Sequence, residues 1–205
     1  MFLPMRILIM GLLVASSSAF MVLSNGTCQN VPGQEDFDWK LHRGRWYVVE
    51  AFDVPYLTRL TCMTIDYILP DNKTVHIATS GVRHYNWFGI PFWHTTVLIR
   101  EKGIIANLSQ SSELAASLGQ NSLHLYNTRY VVVETDYDNY SLVYACYEPT
   151  IFDFKIEAAW ILTRKFGEIP YNLEQLKNNL TIHNVDTNNF KPANNTNCCI
   201  WVVEH

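Results

Sequence analysis

Residues 74–85 read Thr74-Val75-His76-Ile77-Ala78-Thr79-Ser80-Gly81-Val82-Arg83-His84-Tyr85, and their parity decides the fold class. One set of alternate positions holds Val75, Ile77, Thr79, Gly81, Arg83 and Tyr85; the other holds Thr74, His76, Ala78, Ser80, Val82 and His84. Period-two alternation with β-branched residues predicts a strand with one face on a core. The first set is the better inner face, although it carries a charge. The run 61–69 repeats the pattern, with Met63, Ile65, Tyr67 and Leu69 opposite Thr64 and Asp66.

Further strand-like runs lie on both sides, at 46–52, 92–101, 123–126, 130–135, 141–146 and 158–164. Turn chemistry such as Pro70-Asp71-Asn72 and Asp138-Asn139 separates them. Consecutive strands without intervening helices predict an all-β antiparallel sandwich or barrel. The stretch 103–120 fits loop, short helix or strand equally and is left open. One helix is predicted over 172–181, after Pro170. Leu173, Leu176 and Leu180 lie on one side of it and Glu174, Gln175, Lys177 and Asn178 on the other, as suits a helix laid on the outside of a sheet.

The ends are different in kind. Residues 1–19 combine Arg6, the apolar run Ile7 to Ala15 and the small residues Ser17-Ser18-Ala19, which predicts a signal peptide; the apolar run is too short for a bilayer. A single domain over 20–205, secreted and extracellular, is the expectation, with 48% hydrophobic content to fill its core and no later apolar run long enough for stable membrane insertion. The net charge of -4 and the scattered Lys and Arg exclude the basic footprint of a nucleic-acid binder. Five cysteines, Cys28, Cys62, Cys146, Cys198 and Cys199, lack the C-x-x-C or H-x-x-x-H spacing of a zinc site, so no metal is expected and disulfides are, with one thiol left over. Of the N-x-S/T sequons at Asn25, Asn72, Asn107, Asn139, Asn179 and Asn194, Asn72 in a predicted turn and Asn179 on the polar face of the helix are the favoured glycosylation sites.

Three ordered motifs resemble those of the lipocalin family, in its branch of apolipoprotein D, insect bilin-binding proteins and Lazarillo. Gly44-Arg45-Trp46-Tyr47 looks like the G-x-W signature. Thr135-Asp136-Tyr137 with its extension to Tyr144 looks like the T-D-Y motif, and Ala159 to Arg164 looks like the third. The resemblance spans nearly all of Cys28 to Cys198. It implies an eight-stranded antiparallel up-and-down barrel with one C-terminal helix packed outside. It also implies that Trp46 plugs the closed end under Arg164, a cation–π contact. Trp160, Leu162 and Arg164 share one parity, as do Trp46, Val48 and Glu50, so both sets can face inward. By the same resemblance Cys28 pairs with Cys146, and Cys62 with Cys198, or with Cys199 in its place; the remaining thiol is then a candidate bridge to a partner chain.

The resemblance further implies that Tyr67, Thr79, Arg83, Tyr130 and Trp160 line the ligand pocket. An arginine on an apolar inner face is unfavourable unless paired. A ligand carboxylate would satisfy Arg83 in bidentate fashion, whereas a place near the rim would let it reach water or a local acid. Residues 85–93 pack five aromatics, among them Trp87, Phe88 and Phe92, into a turn containing Gly89 and Pro91. The reading is a mouth loop over the pocket, with ordinary packing as the alternative. His84 and His94 flank it as candidate contacts for a tetrapyrrole.

The function implied is extracellular binding and transport of a small hydrophobic ligand: biliverdin, or a lipid such as a fatty acid, sterol or retinoid. No cofactor is required. An enzyme of this class would need a thiol in the lumen or a ligated haem, and the cysteines all map to bridges or the tail. The alternative is an interaction protein acting through its surface or through a disulfide-linked partner at Cys198 or Cys199; residues 200–205 are too short for a lipid-anchor signal.

Overall fold

The computed structural model describes residues 22–52, 60–88, 90–105, 112–118, 125–149, 153–196 and 198, and for residues 86, 87, 90–92, 118 and 125–127 the backbone alone. The expected signal peptide lies outside the described residues, as do Asn107 and Cys199.

Eight strands form the barrel: β2 (Gly44–Phe52), β3 (Leu60–Ile68), β4 (Thr74–Trp87), β5 (Ile90–Ile105), β6 (Glu113–Leu118), β7 (Leu125–Thr135), β8 (Tyr140–Tyr147) and β9 (Phe154–Thr163). Each pairs antiparallel with the next, and β9 returns to pair with β2, placing Tyr47 opposite Thr163 and Ala51 opposite Trp160. Closure removes the free edges that an open sheet would expose. Two short strands complete the sheet: β1 (Val22–Asn25) pairs with the start of β9, and β10 (Phe190–Pro192) pairs with the end of β2. Helix α1 (Trp39–His42) precedes β2, and α2 (Leu173–Thr181) lies where the 3.6-residue pattern puts it.

The alternation sorts the barrel into two cores. Trp46, Ile65, Tyr67, Ile77, Tyr130, Val132 and Leu162 belong to the inner cluster, whereas Val131, Leu142, Tyr144 and Ile161 join Leu176 and Leu180 of α2 outside. The stretches Leu142 to Cys146 of β8 and Ala158 to Leu162 of β9 therefore read as continuous apolar runs, since both their faces are covered. Leu176 and Leu180 are fully buried, and each contributes about 1.5–3 kcal/mol by leaving water.

Residues 125–126 of the strand expected at 123–126 run on into the one expected at 130–135 as a single strand, β7, while residues 123 and 124 lie outside the described residues. The polar triplet Asn127-Thr128-Arg129 reads as a break, yet Thr128 is buried and Arg129 donates to the carbonyl of Val31 and pairs with Glu113. The eighth strand, β6, comes from the stretch left open. Its alternation is carried by Leu114 and Ala116, both buried, and its Ala and Ser content carries little β signal. Gly103 makes room for it: a Cβ there would stand 2.7 Å from Cδ1 of Leu114.

The expected inward parity of Glu50 is also corrected. The register of β2 against β9 shifts between Val48 and Glu50, a bulge that turns Glu50 outward to an ion pair with Lys177 of α2 at 3.0 Å. Val48 and Ala51 keep the inner face.

Cys28 bonds Cys146 and Cys62 bonds Cys198, the pairing that the resemblance implies, with Cys198 rather than Cys199 as the partner. The second bridge lies beside a gap. Strands β2 and β3 pair only over Gly44 to Tyr47, and beyond that point the tail enters between them. Ala193 donates to the Val49 carbonyl at 2.8 Å, Cys62 donates to the Asn194 carbonyl at 2.9 Å, and Thr61 bridges Asn194.

Candidate functional site

The closed end is built from the three motifs. Gly44 takes φ +93, a left-handed conformation that glycine adopts without penalty, and so turns the chain from α1 into β2. Trp46 then lies inside, its indole N–H donating to the His42 carbonyl at 2.9 Å. The Arg164 guanidinium stands 3.8 Å from the Trp46 ring centroid and donates to the carbonyls of Tyr137, Arg45, Leu41 and His42. The loop Thr135 to Tyr140 is held by its own side chains. The Thr135 hydroxyl donates to the Tyr140 carbonyl, and Asp136 accepts from the backbone N–H groups of Asn139 and Tyr140. The Tyr137 hydroxyl accepts from the Asp38 N–H. All of these motif residues hold the floor.

His42 is the floor residue that sequence reading missed. It is fully buried, stacks on Trp46 with ring centroids 4.9 Å apart, and shares a hydrogen bond with Ser141. Burial, assisted by the charge of Arg164, pushes its pKa down to about 3. It is a neutral core histidine.

Above the floor, Tyr67 of β3 and Tyr130 of β7 meet across the lumen through their hydroxyls, both fully buried. Tyr130 packs on Trp160 with centroids 6.0 Å apart, and Thr79 is buried on the same inner face. Burial raises both phenols well above their usual range, and Glu101 adds to the effect. Glu101, opposite Ile77 in the β4–β5 ladder, is half-buried on the inner parity of Val97 and Ile99. Alternation along β5, with Val97 and Ile99, marks it as that along β4 marks Arg83.

Arg83 lies at the other end. Its neighbours in register are Leu60 and Thr95, six positions along β4 from Ile77, roughly 20 Å at about 3.3 Å per residue. It is half-buried near the mouth, remote from Tyr67 and Tyr130. The aromatic segment is the tip of the β4–β5 hairpin, with Trp87 opposite Ile90 in register. Phe88, at φ +48, is 92% exposed, and the cross-strand pair Tyr85 and Trp93 on the inner parity is exposed at 45% and 63%. The side chains of Trp87 and Phe92 lie outside what is described. His84 and His94 face each other on the outer parity, with His84 bonded to Thr61, so the two are turned away from the lumen in which a tetrapyrrole would lie.

Two grooves open on the outer surface, of about 370 Å³ beside His76, Arg100 and Lys102 and about 450 Å³ beside Glu174 and Asn188. Neither touches Arg83, Tyr130 or Trp160. Among the described residues no group of three or more His, Cys, Asp or Glu side chains could hold a metal ion, and no helix is long and apolar enough to cross a membrane.

The closed barrel, the plugged floor and the inner aromatic wall define a lipocalin. The chain belongs to that family: it is 31% identical to apolipoprotein D of Oryctolagus cuniculus over 90% of its own length and 89% of that protein's. It is also 24% identical to the Lazarillo protein of Schistocerca americana, over 80% of this chain and 72% of that one. Among solved structures, apocrustacyanin C2 superimposes with a TM-score of 0.65 at 19% identity, covering 89% of this chain and 96% of that one. Insecticyanin of the tobacco hornworm Manduca sexta does so with a TM-score of 0.64 at 20% identity, covering 86% and 90%. No family model matches the chain.

Proposed function

We propose that this lipocalin is a secreted glycoprotein that carries a small hydrophobic molecule in its barrel, either a biliverdin-type tetrapyrrole or a lipid such as a fatty acid, sterol or retinoid. The observation that carries this reading is the polarity of the inner wall along its length. Tyr67, Tyr130 and Trp160 form an aromatic layer over the floor, and Arg83 stands near the mouth. A ligand with an apolar body and a terminal carboxylate would place the body against the aromatics and the carboxylate on the guanidinium. Thr79 shares the inner face with the aromatics, and Trp87, Phe88 and Phe92 of the hairpin tip are assigned to the mouth above it. The bridges Cys28–Cys146 and Cys62–Cys198 suit an oxidising compartment. Of the two favoured sequons, Asn72 is exposed in the β3–β4 turn, and Asn179 is half-buried with its amide donating to Glu134; Asn72 is the better accommodated.

Titration with biliverdin tests the reading: a shifted visible absorption band with quenching of tryptophan fluorescence is expected, and loss of both in Arg83→Leu if the carboxylate assignment holds. Absence of any spectral change, with displacement of a fluorescent fatty acid instead, assigns the lipid class. Failure of every probe to bind overturns the carrier reading.

A further inference from the structure

We propose that His84 and His94 form a chelating site for a divalent transition metal on the outer wall of the barrel, at the base of the mouth hairpin. The two are direct cross-strand partners in the β4–β5 ladder, so their Cβ atoms leave the same face of the sheet about 5 Å apart. Their ring centroids are 6.2 Å apart with the planes tilted by 40°. An imidazole centre lies about 3.2 Å from a metal bound at about 2.0–2.1 Å by one of its nitrogens, so two rings sharing one ion stand at most roughly 6.4 Å apart. The observed spacing falls inside that limit. Both side chains are exposed, so a small rotation closes the ligand angle, and water fills the remaining positions.

A second observation bears on the proton. Nε2 of His84 lies 3.0 Å from the Thr61 hydroxyl, and that hydroxyl is also within 3.4 Å of the Val82 carbonyl. In the tautomer in which the Thr61 hydroxyl donates to the Val82 carbonyl, it accepts from the His84 Nε2–H. The lone pair of His84 is then on Nδ1. Metal-bound histidines are characteristically oriented in this way, by a partner for their other N–H. Thr61 is a positioning residue, and its neighbour Cys62 is fixed by its disulfide to Cys198. Imidazole ligands select copper(II), nickel(II) and zinc(II), with copper the tightest.

The test is calorimetric titration of the full secreted chain with zinc chloride, paired with electron paramagnetic resonance of added copper(II). One ion per chain is expected, with nitrogen hyperfine structure from two imidazoles. His84→Gln and His94→Gln should each weaken zinc binding by at least about tenfold, because each leaves one ligand without its chelate partner. Thr61→Val should weaken it by up to about tenfold. Both histidines are exposed, and unchanged near-ultraviolet circular dichroism checks that the variants fold. Zinc affinity unchanged in both single variants would place the ion elsewhere on the chain and overturn the proposal. So would the absence of saturable binding at millimolar zinc.

Discussion

Arg164 covers Trp46 at 3.8 Å and, in the same plane, ties together the carbonyls of Tyr137, Arg45, Leu41 and His42. One planar cation thus joins β9, the loop after β7, α1 and β2. Arg164→Lys keeps the charge but loses the fork and the stacking. A loss of about 2–4 kcal/mol is expected, from several charge-assisted hydrogen bonds and one cation–π contact. Urea denaturation with the disulfides intact measures it, and a loss below about 0.5 kcal/mol, typical of a surface substitution, would contradict the role.

His42 supplies a pH dependence whose sign is fixed by its surroundings. Its pKa in the folded protein is held down to about 3, against 6.5 for a free histidine side chain. The unfolded chain therefore takes up a proton first as pH falls. Stability from this group is complete above pH 6.5 and declines between there and about 3, by up to about 1.4 kcal/mol per pH unit. His42→Phe should flatten the profile of Tm against pH in that window. A profile of unchanged slope would assign the acid sensitivity to other groups.

The Tyr67–Tyr130 pair predicts a non-additive double mutant. Tyr67→Phe or Tyr130→Phe alone leaves one fully buried hydroxyl without its partner, a loss of about 1–3 kcal/mol. The double variant removes both groups and should be close to the native protein in stability. Additive losses in a denaturation cycle would mean that the hydroxyls are satisfied separately.

Gly103→Ala tests the docking of β6. The new Cβ would meet Leu114 Cδ1 at 2.7 Å and its Cβ at 3.2 Å, so Leu114 must be displaced from a fully buried position. A destabilisation of about 1–3 kcal/mol is expected, as for other overpacked cores. Restoration by Gly103→Ala with Leu114→Val would confirm the contact as its origin.

The legible parts of this fold were those in which one face differs from the other. Val75, Ile77 and Thr79 announce their side because His76, Ala78 and Ser80 are less apolar, and Leu176 and Leu180 announce theirs on α2. The motif residues Trp46 and Arg164 were legible by resemblance and come together as that implies. Elsewhere the signal failed for physical reasons. Strand β6 is written in alanine and serine, whose β preference is weak. The polar Thr128 and Arg129 hid the continuity of β7, because the partners of Arg129, Glu113 and Val31, are distant in sequence. A single bulge in β2 reversed Glu50, and no local pattern marks it. Tyr130 and Trp160 belong to the inner cluster, the side that their shared parity with Val132 and Leu162 indicates. Glu101 was overlooked although it shares parity with Ile99, since a lone carboxylate in a strand reads as solvent-facing.

The slot between β2 and β3 sets an order of events in biosynthesis. Residues 190–196, which fill it, are made after every strand of the barrel, and the Cys62–Cys198 bridge lies beside them. The wall therefore cannot be completed stave by stave as the chain emerges from the ribosome. The cup closes only once synthesis has passed the tail, so a chain cut short before Phe190 would be left with an open side.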